Sequence, residues 1–241
     1  MAKLNSFTAP HWSLDTFYVF SDFADDQVDT QWVDTVTDTG TAAVGDERGG
    51  VMLLTPSDGT VADNDETYIA TANELFIFAT DCQLYAQFGI KFSEVAAGVA
   101  NVAVGLQNAV GANTIVDDGG GVKVSGSTFA VYKVDGESVW RVATATNGVS
   151  TVTKSTQAAD AGVWYEVTLE AEPHNSSHMI ASAQVNGVRL TDANGIPIRH
   201  FVPIASATEM QLFAGIKLGA ATNNDTLRVD YVYASQRRPY R

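Results

Sequence analysis

The sequence contains a single cysteine, Cys82, among its 241 residues, so no disulfide can form within the chain. It also lacks long apolar runs, because no stretch approaches the roughly 20 apolar residues that a membrane-spanning helix needs. The first residues contain no apolar core of the kind that secretory signal peptides carry. We therefore expect synthesis in a cytoplasm and no membrane partner, and we interpret Cys82 as a small buried apolar side chain.

Positive charge is scarce as well. There are 14 Lys and Arg against 28 Asp and Glu, which gives a net charge of −14. Because phosphate backbones and anionic lipid repel such a chain, neither nucleic acid nor a membrane surface is expected as a partner. Thirteen acidic residues and one basic residue lie between Asp15 and Glu66, whereas Arg237, Arg238 and Arg241 lie within the last five positions. Two interpretations stay open: a solvated acidic face with a basic tail, or electrostatic docking of a partner, including another copy of this chain.

The strong helix formers Leu, Glu and Lys are also few, whereas Gly, Thr, Ala, Val, Asp and Asn are plentiful, which favours β-structure. Apolar and polar residues alternate in several segments, and the dipeptides at 135–136, 147–148 and 186–187 (Asp-Gly, Asn-Gly and Asn-Gly) are typical of tight hairpin turns. About fourteen short strands at regular spacing predict an all-β, antiparallel β-sandwich. The chain length fits one large domain of this class.

The ends of the chain differ in composition from its centre. Residues 1–20 form an aromatic N-terminal arm that includes Phe7 and Trp12, residues 21–235 form the single sandwich domain, and residues 236–241 form a basic tail. Large aromatic side chains need burial, either on their own domain or on a neighbouring subunit. We assign the docking of subunits or partners to these two aromatic residues and to the three C-terminal arginines named above.

The segment Thr226–Ser235 has the clearest period-two alternation. On this pattern one face carries Leu227, Val229, Tyr231 and Tyr233, and the other carries Arg228, Asp230, Val232 and Ala234. A strand made last usually inserts between strands made earlier, so we expect this segment to close the fold.

Three parts of the sequence suggest one known architecture. They are Val163–Val167 leading to Ala183–Val188, the final strand Leu227–Val232, and an opening made of Asp22-Phe23, Trp32 and Gly49–Leu53. Together they resemble the concanavalin A-like lectin/glucanase superfamily, in which a tryptophan strand precedes a strand ending in an Asp-Gly or Asn-Gly turn. The resemblance implies a jelly roll of two curved antiparallel sheets, and a shared fold does not by itself imply a shared function.

The enzymes of that superfamily carry two glutamates in a Glu-x-Asp-x-(x)-Glu pattern, which serve as nucleophile and general acid/base in glycoside hydrolysis. No glutamate of this sequence has an aspartate two positions later, and the strand expected to carry the motif, Val102–Gln107, contains no carboxylate. The nearest imitation is Glu166-x-Thr168-x-Glu170, followed by Glu172, on the tryptophan strand. The resemblance therefore predicts a protein that is not an enzyme.

Several parts of the sequence carry side chains or carbonyl groups that bind metal ions in proteins. The resemblance implies a structural Ca²⁺ ion as an alternative to the expectation of no cofactor, with Asp230 and carbonyl groups near Gly49 as ligands. His174 and His178 have a metal-binding spacing only if they lie on a helix, and the intervening Asn-Ser-Ser favours a loop. The acidic stretches at 63–66 and 117–118 lack a calcium-loop pattern, so we interpret them as solvated turns.

These observations lead to one function prediction and two alternatives. The first is a structural virion protein, located in the virion, that decorates the capsid of a tailed bacteriophage, contacts capsid or other virion proteins, and forms a homo-oligomer, with a trimer favoured. The second is a lectin-like module that binds a glycan through exposed aromatic residues, with Trp140, Tyr132 and Tyr85 as candidates. The third is a glycoside hydrolase or lyase with an unfamiliar arrangement of carboxylates.

Overall fold

The computed structural model describes residues 16–24, 30–47, 49–57, 59–94, 99–220 and 224–238. These residues form eighteen β-strands and no helix. Across the described ranges, nothing helical is long and apolar enough to cross a membrane. The strands are β1 (Thr16–Ser21), β2 (Trp32–Val36), β3 (Thr41–Gly45), β4 (Val51–Thr55), β5 (Glu66–Thr71), β6 (Leu84–Ser93), β7 (Ala100–Gln107), β8 (Ile115–Val116), β9 (Gly121–Val122), β10 (Thr128–Lys133), β11 (Val139–Thr146), β12 (Val149–Ala158), β13 (Trp164–Asn175), β14 (His178–Val185), β15 (Val188–Arg189), β16 (His200–Pro203), β17 (Gln211–Leu218) and β18 (Thr226–Arg237).

Two large antiparallel sheets pack face to face as a sandwich. The nine-stranded sheet has the order β15-β14-β13-β6-β18-β4-β3, with β1 added to β18 and β16 added to β14. The seven-stranded sheet has the order β12-β11-β10-β7-β17-β5-β2, and β8 and β9 form a separate pair. The predicted all-β antiparallel sandwich is confirmed. There are more strands than the sequence indicated, because a two-residue strand leaves no alternation to detect.

The last strand occupies the interior of the nine-stranded sheet, as expected from its place at the end of the chain. β18 pairs along its length with β6, and on its other side with β4 at its start and β1 at its end. A β-bulge at Asp230 interrupts the register with β6, so Val229 pairs with Ile90 and Tyr231 pairs with the next residue, Gly89. Because a bulge inserts one residue, it reverses which alternate side chains face the core. Leu227, Val229, Val232 and Ala234 are buried, and Tyr231 and Tyr233 face outward, which corrects the single alternation predicted from the sequence.

The core between the sheets is dominated by apolar side chains that alternate along each strand. Phe92, Trp140 and Tyr165 form an aromatic cluster within it, with ring centroids 5.2 to 6.3 Å apart. Trp140 is 0% exposed. One end of the core is closed by Lys133, whose Nζ donates to the Ala100 carbonyl at 2.8 Å and pairs with the Glu94 carboxylate.

The predicted domain boundaries shift at both ends. Residues 16–20, assigned to the arm, lie in β1, which pairs with residues 232–237 of β18, so they belong to the sandwich. Gln236, assigned to the tail, is buried and bonds Ile77 through both its amide atoms, at 2.9 and 2.6 Å. Phe7, Trp12 and Arg241 lie outside the described residues. Arg237 and Arg238 are exposed at the end of the last strand.

Candidate functional site

The outer face of the seven-stranded sheet is covered by residues 108–127, which contain β8 and β9 and which we call the cover segment. Ile115 and Val122 of this segment are 1% and 4% exposed. They belong to a second apolar cluster, separate from the main core, with buried residues of five strands of the sheet: Tyr68, Ala70, Ala103, Ala130, Tyr132, Ala143 and Phe213. The centre of this face is therefore closed to solvent.

Glycine makes the close packing under the cover segment possible. A Cβ atom added to Gly215 would lie 2.0 Å from Cδ1 of Tyr68, so the tyrosine ring rests directly on the glycine backbone. In the cover segment, Gly121 has a φ of +82°, and a Cβ there would lie 2.9 Å from the ring of Tyr132. Any larger residue at Gly215 would have to displace the ring, which is itself completely buried.

A buried ionic network ties the cover segment to the sheet. Lys217 Nζ lies 3.1 Å from Glu66 Oε2 and donates to Asn113 Oδ1 at 2.7 Å and to the Ile115 carbonyl at 3.2 Å. It also pairs with Asp117. Tyr68 donates its hydroxyl proton to Glu66 Oε2 at 2.6 Å, and burial, followed by the charge of Glu66, raises the pKa of this tyrosine. Lys217 and Glu66 are both at least 98% buried, so their charges are compensated inside the protein.

Two of the three predicted glycan-binding aromatic residues are corrected by their burial. Tyr132 is 3% exposed beneath the cover segment, and Trp140 lies between the sheets with its ring edge-on to Tyr165 at 5.2 Å. Neither ring is open to solvent. The sequence pattern could not distinguish inward from outward positions on β10 and β11, because both faces of that sheet are apolar.

The third candidate, Tyr85, lies on the outer face of the nine-stranded sheet, where further aromatic residues gather. The register of β6, β13, β18 and β1 places them on one face, and each is partly exposed. We call this surface the aromatic face; it comprises Tyr18, Phe20, Tyr85, Trp164, Tyr231 and Tyr233. Tyr18 and Phe20 are each 51% exposed and Trp164 is 42% exposed.

The rows of the aromatic face follow from strand pairing. Thr168, Gln87, Tyr233 and Phe20 lie opposite one another across four strands. The rings of Tyr85 and Tyr233 are tilted against each other with centroids 5.9 Å apart. At one end of the face, Lys91 Nζ lies 5.9 Å from the centre of the Trp164 ring, a cation–π contact.

Polar groups lie between these rings. Tyr231 donates to Glu166 Oε2 at 3.0 Å, and burial, followed by this hydrogen bond, raises the pKa of Tyr231. Glu170 accepts a hydrogen bond from Gln184 Nε2 at 3.3 Å and lies 3.7 Å from Arg189. The surface therefore combines flat apolar rings with hydrogen-bonding groups, the combination that recognises molecules with both apolar and polar parts.

Solved structures support the architecture. No protein-family model and no curated protein matches this chain. An endo-1,3-beta-glucanase from Streptomyces sioyaensis superposes with a TM-score of 0.61 at 16% identity, covering 96% of this chain and 100% of the glucanase chain. Peanut lectin gives 0.57 at 13% identity over 92% and 97% of the two chains, and the Emp47p carbohydrate recognition domain gives 0.56 at 10% over 94% and 97%. The fold is a concanavalin A-like jelly roll.

Within this jelly roll, the tryptophan strand carries three glutamates. Glu166 and Glu170 lie four residues apart on β13, with Thr168 between them where the pattern of the superfamily's enzymes has an aspartate. Both side chains already have partners on the aromatic face, and Glu172 is exposed near the end of the strand.

The predicted calcium ligand Asp230 sits in the bulge of β18. Burial, followed by the charges of Asp22 and Glu47, raises the pKa of Asp230. An open groove of about 410 Å³ at this corner is lined by Gly49 and Gly50 together with residues 24 and 44–47. Among the described residues, no group of three or more His, Cys, Asp or Glu side chains is placed to hold a metal ion. The structural calcium ion stays a prediction.

The histidines differ from their sequence-based descriptions. His174 is on β13, with its ring 5.2 Å from that of Phe201, and His178 begins β14, so they lie on strands and not in a loop. His200 bonds two side chains that are distant in sequence. Its Nδ1 lies 2.9 Å from the Thr144 hydroxyl and its Nε2 lies 2.9 Å from the Thr153 hydroxyl, so it links β16 to the opposite sheet. Partners 56 and 47 residues away leave no local signal in the sequence.

Proposed function

We propose that this protein is a non-catalytic recognition protein that binds a glycan through its aromatic face. The observation that carries the proposal is the placement of six partly exposed aromatic rings in register on one sheet, with polar side chains between them. Sugar rings present apolar C–H faces and polar edges, which match aromatic rings flanked by hydrogen-bonding groups. A lectin and a carbohydrate recognition domain are among the proteins of similar fold.

The closed face of the other sheet supports binding without catalysis. An extended sugar chain has no access to the centre of the seven-stranded sheet, because the cover segment fills it. Glu66, the carboxylate buried there, is neutralised by Lys217. On the aromatic face, a threonine stands between Glu166 and Glu170 where the hydrolytic pattern has an aspartate. We expect no turnover on a panel of β-glucans, galactans and alginates.

Affinity electrophoresis through gels that contain single polysaccharides, combined with a glycan array, would test the proposal. We expect retardation by at least one class of polysaccharide. Tyr233→Ala should weaken binding about fivefold, since a stacking contact is worth about 1 kcal/mol. Ile196→Ala is a matched control, because Ile196 is 59% exposed in a loop outside the aromatic face. Absence of binding to every class, or equal loss in both variants, would reject the proposal.

A structural virion protein is the second candidate. The observation that favours it is the half-exposed pair Tyr18 and Phe20 on β1, the first described strand, which could contact a neighbouring virion subunit. Such a protein should co-sediment with phage heads. Phe20→Ala should then reduce co-sedimentation, and a protein that never partitions with capsids would exclude this role.

A further inference from the structure

The edge of the seven-stranded sheet formed by β12 is long and open. β12 spans ten residues and pairs with β11 on one side. On its other side, the Thr156 amide donates to the Thr191 carbonyl at 3.0 Å. No other strand of the described chain pairs with the stretch from Val149 to Lys154. Val149 is 56% exposed and Val152 is 46% exposed. Such an edge is a template for pairing with another strand.

The direction of the backbone groups on this edge follows from the hairpin. The two-residue turn at 147–148 makes Thr146 and Val149 a hydrogen-bonded pair, so alternate residues from Val149 onward bond to β11. The N–H and C=O groups of Ser150, Val152 and Lys154 therefore point away from the sheet. The outward bond of Thr156, which belongs to the same alternate set, agrees with this assignment.

The chemistry of the edge favours a second copy of this chain as the occupant. The protein carries a net charge of −14, yet residues 147–159 contain no Asp or Glu and a single cation, Lys154. When two copies meet at this edge, the paired strands therefore contain no carboxylates that would repel each other. By contrast, β2 at the opposite edge of the sheet is five residues long and contains Asp34. Residues 149–154 also contain no proline or glycine that would block pairing.

We infer that two copies of this chain pair antiparallel through β12, related by a two-fold axis at Val152. This register places Val152 opposite the same residue of the second copy and Ser150 opposite Lys154. In this register, the backbone groups of all three outward-facing residues form hydrogen bonds to the second copy. Both members of a hydrogen-bonded pair in an antiparallel ladder point their N–H and C=O groups toward the partner strand. The contact is self-complementary, as a two-fold interface requires. The trimer predicted from the sequence would need a different contact.

Sedimentation of the full-length chain across the micromolar range tests this inference. We expect a concentration-dependent dimer. Val152→Lys should raise the dimer dissociation constant at least tenfold, because it places two cations opposite each other. Val33→Lys is the matched control, since Val33 is 49% exposed on β2, and it should dimerise like the wild type. A wild-type monomer at all concentrations, or a dimer that Val152→Lys leaves intact, would overturn the inference.

A cross-linking variant tests the register and does not depend on a loss of association. Hydrogen-bonded residues in an antiparallel ladder have Cα atoms about 5.5 Å apart, a distance that a disulfide spans. Val152→Cys should therefore form a covalent dimer on oxidation with diamide, whereas Val33→Cys should not. The native thiol of Cys82 is buried and should not contribute. Equal cross-linking of both variants, or none in the Val152→Cys protein, would contradict the proposed pairing.

Discussion

Acidification should destabilise this protein through His200, the buried histidine that links the two sheets. His200 is 3% exposed, and both its ring nitrogens contact threonine hydroxyls at 2.9 Å. A neutral imidazole donates one hydrogen bond and accepts one, so both contacts can be satisfied. Burial penalises the charged form and lowers the pKa of His200 from 6.5 to about 4.

The size of the effect follows from the difference between the two states. The unfolded chain takes up the proton near pH 6.5, whereas the folded chain does so only near pH 4. The stabilisation is therefore fully present above pH 6.5 and is lost progressively as the pH falls to about 4. At about 1.4 kcal/mol for each tenfold difference in proton affinity, the full change is about 3 kcal/mol.

Urea unfolding of the wild type and His200→Gln at a series of pH values would measure this change. Near neutral pH, the variant should be less stable by about 1 to 3 kcal/mol, because it loses one buried hydrogen bond. The difference in the free energy of unfolding, wild type minus variant, should fall by about 3 kcal/mol as the pH falls to about 4, which closes the gap or reverses its sign. Ile196→Ala, at a position that is 59% exposed, is the control, and its difference from the wild type should stay constant across the pH range. A gap that stays constant across the range would refute the reasoning.

Three further predictions concern other parts of the molecule. Lys217→Met should lower the free energy of unfolding by about 3 to 5 kcal/mol, because it leaves a buried carboxylate unpaired, and hydrogen exchange should accelerate in the cover segment first; uniform acceleration would contradict the role of the network. Gly215→Ala should cost about 1 to 3 kcal/mol in urea unfolding through its clash with Tyr68, and an unchanged midpoint would contradict the packing described. Asp230→Asn should abolish any rise in melting temperature that millimolar Ca²⁺ causes in the wild type, and a rise of equal size in both proteins would exclude Asp230 as a ligand.

The fold could be predicted because its signals are local. Alternation in β6 and β13 and the Asn-Gly turns indicate hairpins without reference to distant residues. The insertion of β18 among earlier strands also followed from its place in the chain. These signals are repeated along the sequence, so an error in one strand does not change the class of fold.

The candidate site was harder to predict because it depends on which face of each sheet is open. In the sequence, Trp140 and Tyr132 are aromatic residues of predicted strands, as Tyr85 is. The structure buries the first two and leaves Tyr85 partly exposed. The composition of the cover segment is that of a glycine-rich loop, and no local pattern indicates that Ile115 packs on a sheet built from distant residues. The sequence places Phe20 in an arm, because its pairing with β18 joins the two ends of the sequence and leaves no local signal.

The bulge at Asp230 divides the last strand into two parts with opposite alternation of buried and exposed side chains. Before it, odd-numbered residues fill the core; after it, even-numbered residues do. A chain of the same fold without the bulge should align to this one only with a one-residue gap at that position, and an ungapped alignment would match core valines to surface tyrosines. Two of the six rings of the aromatic face, Tyr231 and Tyr233, thus owe their exposure to one extra residue, and a single insertion or deletion there is a larger structural event than most substitutions.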